Sequence, residues 1–174
     1  MSTLILRPNA AGDETLITSQ YPNSTAHWDK VDEVTADDAA TYVQSGYYIG
    51  SYQRDLYNLP NHDSESGVIN SITITFRVRL NTDGKCKPSL KTGGTAYDGT
   101  EITTVALWTT YTQAWTTNPK TGIAWTWADI DGLQIGISLF APASANVTFC
   151  TQLYVTVDYT PPSLTGASFL LRMI

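Results

Sequence analysis

Between residues 71 and 80 apolar and polar side chains alternate without a break, and this period of two constrains the fold more than any other feature. Ile72, Ile74, Phe76, Val78 and Leu80 share one side of the segment, opposite Ser71, Thr73, Thr75, Arg77 and Arg79. Successive side chains of an extended chain point to opposite faces, so this segment is a strand with one buried face. The same period places Val147, Phe149, Thr151, Leu153, Val155, Val157 and Tyr159 opposite Thr148, Cys150, Gln152, Tyr154, Thr156 and Asp158, and Leu133, Ile135, Ile137 and Leu139 opposite Gln134, Gly136 and Ser138. A further strand covers 102–115, with Val105, Leu107, Tyr111 and Trp115 in step and Trp108 on the other side. Leu4–Arg7, Thr41–Val43 and Tyr52–Leu59 complete a set of about eight strands.

Asp83-Gly84 after the first strand is a hairpin cue, which predicts that 68–81 pairs with 85–91; Gly93-Gly94, Asp98-Gly99 and Pro142 mark further turns. Thr126 to Gly132 reads as one short helical turn, capped by Thr126 and ended by Gly132. No other stretch has sustained helical periodicity, which excludes parallel α/β folds for want of crossover helices. The expected fold is all-β: a two-sheet antiparallel, jelly-roll-like sandwich with one short helical turn. It occupies 1–160, with an N-terminal arm at about 1–25. Pro161-Pro162 stops the last strand, and an apolar C-terminal tail follows at 161–174.

The chain has 174 residues, enough for one domain with its own core. Only 15% are charged and the net charge is -6, which argues against a nucleic-acid partner, since phosphate binding needs clustered Lys and Arg. Leu4-Ile5-Leu6 is too short for a signal core or a membrane span, so no membrane partner is expected and synthesis is cytoplasmic. Cys86 and Cys150 lack metal-site spacing and read as two unpaired thiols, with a disulfide as the alternative. Alternation puts Cys86 inward with Leu90 and Cys150 opposite the apolar face.

Motifs for chemistry are absent. His27 and His62 stand alone in polar segments and read as solvated loop residues, although a dispersed triad needs no local motif. Asp29, Asp32, Glu33, Asp37 and Asp38 read as a solvated acidic loop; a calcium site is its functional alternative, and Asp129-Ile130-Asp131-Gly132 carries only a fragment of calcium-loop spacing. No catalytic residue, cofactor or metal ligand is therefore expected. Arg77, Arg79, Lys85, Lys87 and Lys91 fall on the outer side of the expected hairpin, while ten of the sixteen acids lie between Asp13 and Glu65. That asymmetry suits either an ordinary wet face or a contact in which an acidic region meets the basic strand pair of another protein. Leu164, Phe169, Leu170, Leu171 and Ile174 give the tail a sticky surface that calls for a partner in cis or in trans. Trp108, set opposite its buried neighbours, is the candidate for stacking on a sugar.

One resemblance adds to this. Tyr111-Thr112-Gln113-Ala114-Trp115, Thr117-Asn118-Pro119, Thr121 through Asp131, Leu133 through Ile137 and Thr151 through Tyr159, with Trp28 through Glu33, Asp37-Asp38, Thr41-Tyr42-Val43 and Gly93 through Gly99 upstream, resemble a pattern in poorly characterised proteins of tailed bacteriophages and prophages. The resemblance covers most of 27–159. It implies a virion protein of jelly-roll type, decorating or cementing the capsid or accompanying the tail. Its partners would be other virion proteins, and it would form a homo-oligomer such as a trimer. It supplies no catalytic residue. A carbohydrate-binding module for host surface glycan is the alternative, and a glycan hydrolase a distant third.

Overall fold

The computed structural model describes residues 1–47, 50–142 and 146–163, residue 104 by its backbone only. Among the described residues ten strands form one curled antiparallel sheet that folds into two layers: β1 (Ser2–Leu6), β2 (Ala10–Thr15), β3 (Ser19–Tyr21), β4 (Tyr42–Gln44), β5 (Tyr52–Asn58), β6 (Val68–Thr92), β7 (Thr95–Asp98), β8 (Ile102–Trp115), β9 (Gln134–Phe140) and β10 (Thr148–Thr160). Residues 1–25, expected as an arm, supply three of these strands. A single 3-10 turn, His27–Lys30, and α1 (Trp127–Asp131) are the helical elements among the described residues. Thr126 caps α1 and Gly132 ends it, as the sequence predicts, and Asp129 completes the cap from the other side. No helix among the described residues is long and apolar enough to cross a membrane.

The expected hairpin at Asp83-Gly84 does not form. β6 runs 25 residues through that point. Its first half pairs with β10 on one side and β8 on the other; its second half pairs with β9 and β7. Asp83 takes a left-handed conformation, φ 60°. A Cβ on Gly84 would stand 2.5 Å from Thr148 Cγ2, so the bend needs a residue without a side chain there. The bend carries one strand from the first layer into the second, because 85–91 finds a better partner in β9 than in its own first half. The tight turn lies later: Thr92 pairs with Thr95 across Gly93 and Gly94, at φ 54° and 79°, the two positive values of a type I′ turn.

The first layer is thus β8, β6 and β10, with β1 and then β4–β3 along the far edge of β10. The second is β2, β5, β9 and the end of β6, bordered by β7 and the start of β8. Ile72, Ile74, Phe76, Val78, Leu153, Val155 and Val157 of the first layer pack against Leu90, Ile135, Ile137, Leu139 and Tyr57 of the second. Burying each such side chain stabilises the fold by roughly 1.5–3 kcal/mol before entropy is counted.

The alternation slips where strands bulge. A register shift between Cys150 and Gln152 turns Cys150 into the core, opposite Val78, and Phe149 to the outer side of the sheet, opposite Arg79, where its neighbours still bury it, reversing the expected faces of both. A second shift in β8 leaves Leu107 77% exposed while Tyr111 and Trp115 pack against the core. Cys86 and Cys150 are free and buried. Desolvation pushes the Cys150 thiol up to about 12, and that of Cys86 further. A thiol reagent at pH 8 is therefore expected to label neither cysteine until the chain unfolds, and both afterwards; fast labelling of the native protein would contradict their burial.

Candidate functional site

On the outward side of the second layer, side chains from non-adjacent strands meet over the sheet. The pairing Tyr52–Phe140–Lys85 and Arg54–Ser138–Lys87 runs in rows across β5, β9 and β6, with Ser89 opposite Asp98 of β7. Period two sends these residues to the outer side, where Ser89 and Ser138 are nevertheless covered and buried, while Gln53, Asp55 and Tyr57 of β5 and Cys86 and Leu90 of β6 turn inward. Tyr52 Oη donates to Glu101 Oε2 at 2.5 Å, and Arg54 Nη1 donates to Asp98 Oδ1 at 3.1 Å. Each of these bonds crosses over β9 and β6.

Two rings stand at one end of this face: Tyr52 and Phe140, centroids 5.4 Å apart and tilted by 49°. Lys87 Nζ sits 4.3 Å from the Tyr52 ring and Lys85 Nζ 5.8 Å from that of Phe140. Lys85 also pairs with Glu101 at 3.2 Å. Further along, Ser89 Oγ donates to Asp98 Oδ1 at 2.7 Å and lies 3.1 Å from Ser138 Oγ. At the far end the β2 bulge folds over the sheet edge. Gly12 lies so close that a Cβ would stand 2.5 Å from the Leu56 carbonyl oxygen, and this approach brings Glu14 to Arg54 and Asp13 to Lys91.

The charges hold one another in their ionised forms. The Tyr52 hydroxyl and Lys85 beside Glu101 keep its carboxyl below the usual range. Desolvation, then the Glu101 carboxylate, pushes the Tyr52 phenol well above its ordinary value, so it stays a donor at any physiological pH. Hydrogen bonds and charge from Lys91 lower Asp13 in the same way.

The expected basic face is therefore not a free one. Arg77 donates to Asp38 at 2.5 and 2.9 Å, Lys85 pairs with Glu101 and Lys91 with Asp13. Arg77 and Arg79 lie on the first layer, Lys85, Lys87 and Lys91 on the second, because β6 changes layers between them. Trp108 faces outward on the first layer, packed with Arg79, Phe149 and Tyr42. Leu164, Phe169, Leu170, Leu171 and Ile174 lie outside the described residues.

Neither histidine is the solvated loop residue expected. His27 Nδ1 lies 2.6 Å from Asp55 Oδ2, whose carboxylate is fully buried and also accepts from Ile17 N and Tyr57 Oη. His62 Nδ1 lies 2.7 Å from Asp131 Oδ1, its ring 4.9 Å from that of Trp127. Both carboxylates are distant in sequence, which hid the pairs from a search for local motifs. Among the described residues no hydroxyl of Ser or Thr bonds to either imidazole and no pocket opens beside them, so both pairs read as struts. The acidic loop is likewise internally bonded: Asp37 accepts from Thr41 N and Thr151 Oγ1, Glu33 from Thr41 Oγ1, and Asp29 from Thr25 and Lys30. Asp129 is taken up in the α1 cap and Asp131 by His62. Among the described residues no three His, Cys, Asp or Glu side chains group as metal ligands.

No protein-family model matches the chain, and no curated protein matches it. Among solved structures, its backbone is similar to that of the C-terminal CBM6 of LamC, a marine laminarinase from Zobellia galactanivorans, at 16% identity over 90% of this chain and 100% of that one, TM-score 0.44. It is similar also to CBM29_1, a family 29 carbohydrate binding module from Piromyces equi, at 11% identity over 91% and 93%, TM-score 0.46. A third is TmCBM61, in complex with β-1,4-galactotriose, at 12% identity over 80% and 86%, TM-score 0.41.

Proposed function

We propose that the chain is a non-catalytic glycan-binding module whose ligand lies along the outward face of β5, β9 and β6. The observation that carries this reading is the combination on one face of two adjoining rings, Tyr52 and Phe140, with the cross-sheet bonds Tyr52–Glu101 and Arg54–Asp98. A sugar offers flat C–H surfaces, which suit aromatic rings, and hydroxyls that both donate and accept, which suit carboxylate and guanidinium groups held side by side. Arg54, Lys85 and Lys91 are each balanced by a carboxylate in cis. A face so neutralised selects for hydroxyl groups over phosphate or polyanion.

The test is a glycan array followed by titration of the best neutral oligosaccharide against variants. Tyr52→Ala and Phe140→Ala are each expected to weaken binding about tenfold or more, the usual effect of truncating a central aromatic contact, with far-UV spectra unchanged. Saturable binding to no glycan, or affinity indifferent to both substitutions, would remove the reading.

The likeness to tailed-phage proteins fits alongside it, since such a module can be carried on a virion to hold the particle against a host surface. A purely structural role as a decoration or tail accessory protein, homo-oligomeric and bound to capsid or tail subunits, is the second reading. Its support is the sequence resemblance. The basic residues of β6 offer it little, because they are divided between the two layers and Arg77, Lys85 and Lys91 already have partners in cis.

A further inference from the structure

The outward face of the first layer carries a different constellation. Five side chains from five strands stand in a row: Tyr21 of β3, Tyr42 of β4, Phe149 of β10, Arg79 of β6 and Trp108 of β8. Tyr21 and Tyr42 stack at 5.5 Å and 20°, Tyr42 meets Phe149 edge-on at 5.2 Å, and Trp108 lies 6.1 Å from Phe149. Tyr21 is 52% exposed at the open end of the row, while Phe149, 6% exposed, lies beneath its neighbours as the floor. The bulges in β8 and β10 produce this arrangement, since without them Phe149 would face the core.

Arg79 sits in the middle of these rings. Its guanidinium carbon is 4.4 Å from the Phe149 centroid and 5.4 Å from that of Trp108. Its Nε is buried and, among the described residues, has no hydrogen-bond partner. Arg54 and Arg77 each hold a carboxylate, yet among the described residues no carboxylate or carbonyl accepts from Arg79. In a chain of net charge -6 this is conspicuous. Contact with two rings restrains the guanidinium, and among the described residues its terminal nitrogens make no hydrogen bond, which leaves them as a fork for a ligand. Such a fork matches a carboxylate bidentately.

We infer that this row is a second binding site, distinct from the neutral-glycan face, and that it takes an acidic sugar: a pyranose bearing a carboxylate, seated on Tyr42 and Trp108 with its anion on Arg79. An acidic peptide fits less well. It would need several free cations in line, and Arg77, the neighbouring cation on β6, is already held by Asp38.

The experiment titrates the full chain with an oligogalacturonate, following tryptophan fluorescence and heat, beside the corresponding neutral oligogalactoside and an oligoglutamate peptide. The oligogalacturonate is expected to bind saturably and more weakly as salt is raised, and the oligoglutamate and, in the Tyr52→Ala chain, the neutral oligogalactoside at least about tenfold less tightly. Arg79→Gln should lower its affinity at least about tenfold; Arg79→Lys, which keeps the charge and loses the planar fork, should lower it too. Tyr52→Ala should leave it unchanged, so this site and the neutral-glycan face fail separately. Near-UV spectra of both Arg79 variants check that the row stays packed. No binding of oligogalacturonate, binding indifferent to Arg79→Gln in a folded variant, or equal binding of oligoglutamate would overturn the inference.

Discussion

Gly136→Ala is expected to destabilise the protein by about 3 kcal/mol or more, at the upper end of what overpacking costs. Gly136 lies mid-strand in β9, paired with Leu56 on one side and Ser89 on the other. A Cβ there would overlap the Asp55 carbonyl oxygen and press on Leu56 Cδ2 at 3.0 Å. The first obstacle is backbone in a paired strand, so it cannot swing aside as a side-chain tip could. Moving β5 away would loosen the rows that hold Tyr52 beside Phe140 and Arg54 beside Ser138. For a chain of this size the loss corresponds to a melting point lower by roughly 6–12 °C. Urea or thermal unfolding reads it directly; a change below about 0.5 kcal/mol would mean that β5 and β9 are not in this register.

Asp55→Ala is expected to cost about 3–5 kcal/mol, the range for breaking a buried ionic network from one side. Asp55 is fully buried and accepts from Ile17 N at 2.8 Å and from Tyr57 Oη at 3.2 Å, and His27 Nδ1 lies 2.6 Å from it. Alanine strands all three polar groups in a site from which water is largely excluded. Asn keeps the shape and one acceptor, so Asp55→Asn should fall between alanine and wild type. The loss should be local at first, because His27 anchors the 3-10 turn through this carboxylate. Amide exchange would therefore quicken around Ile17 and His27–Val31 before it does in β10. Unchanged stability of Asp55→Ala would show that the strut carries nothing.

The strands of this fold are legible in the sequence where one face is buried and pairing is regular. Ile72 to Leu80, Leu133 to Leu139 and Leu153 to Val157 turn inward as period two requires. The reading fails where a bulge changes phase, since one unpaired residue reverses every face beyond it. That is why Cys150 is buried, Phe149 is turned outward and Leu107 is exposed. Asp83-Gly84 misleads for a related reason: the same left-handed conformation that closes a hairpin also bends a continuous strand, and the choice rests on which partner strand is available. Tertiary pairing also decides the candidate site. Arg79 and Trp108 stand out as separate candidates in the sequence, and the structure brings them together. Tyr52, Phe140, Glu101 and Asp98 carry no local signal, because they meet only when β5, β9 and β6 lie side by side.

The most direct test of the glycan-binding account is to map the bound ligand. With the neutral oligosaccharide selected on the array, an isotope-labelled sample should show amide shifts concentrated at Tyr52, Arg54, Lys87, Ser89, Ser138 and Phe140, with residues around Trp108 unmoved. Shifts that cluster elsewhere, or none at saturating sugar, would contradict it.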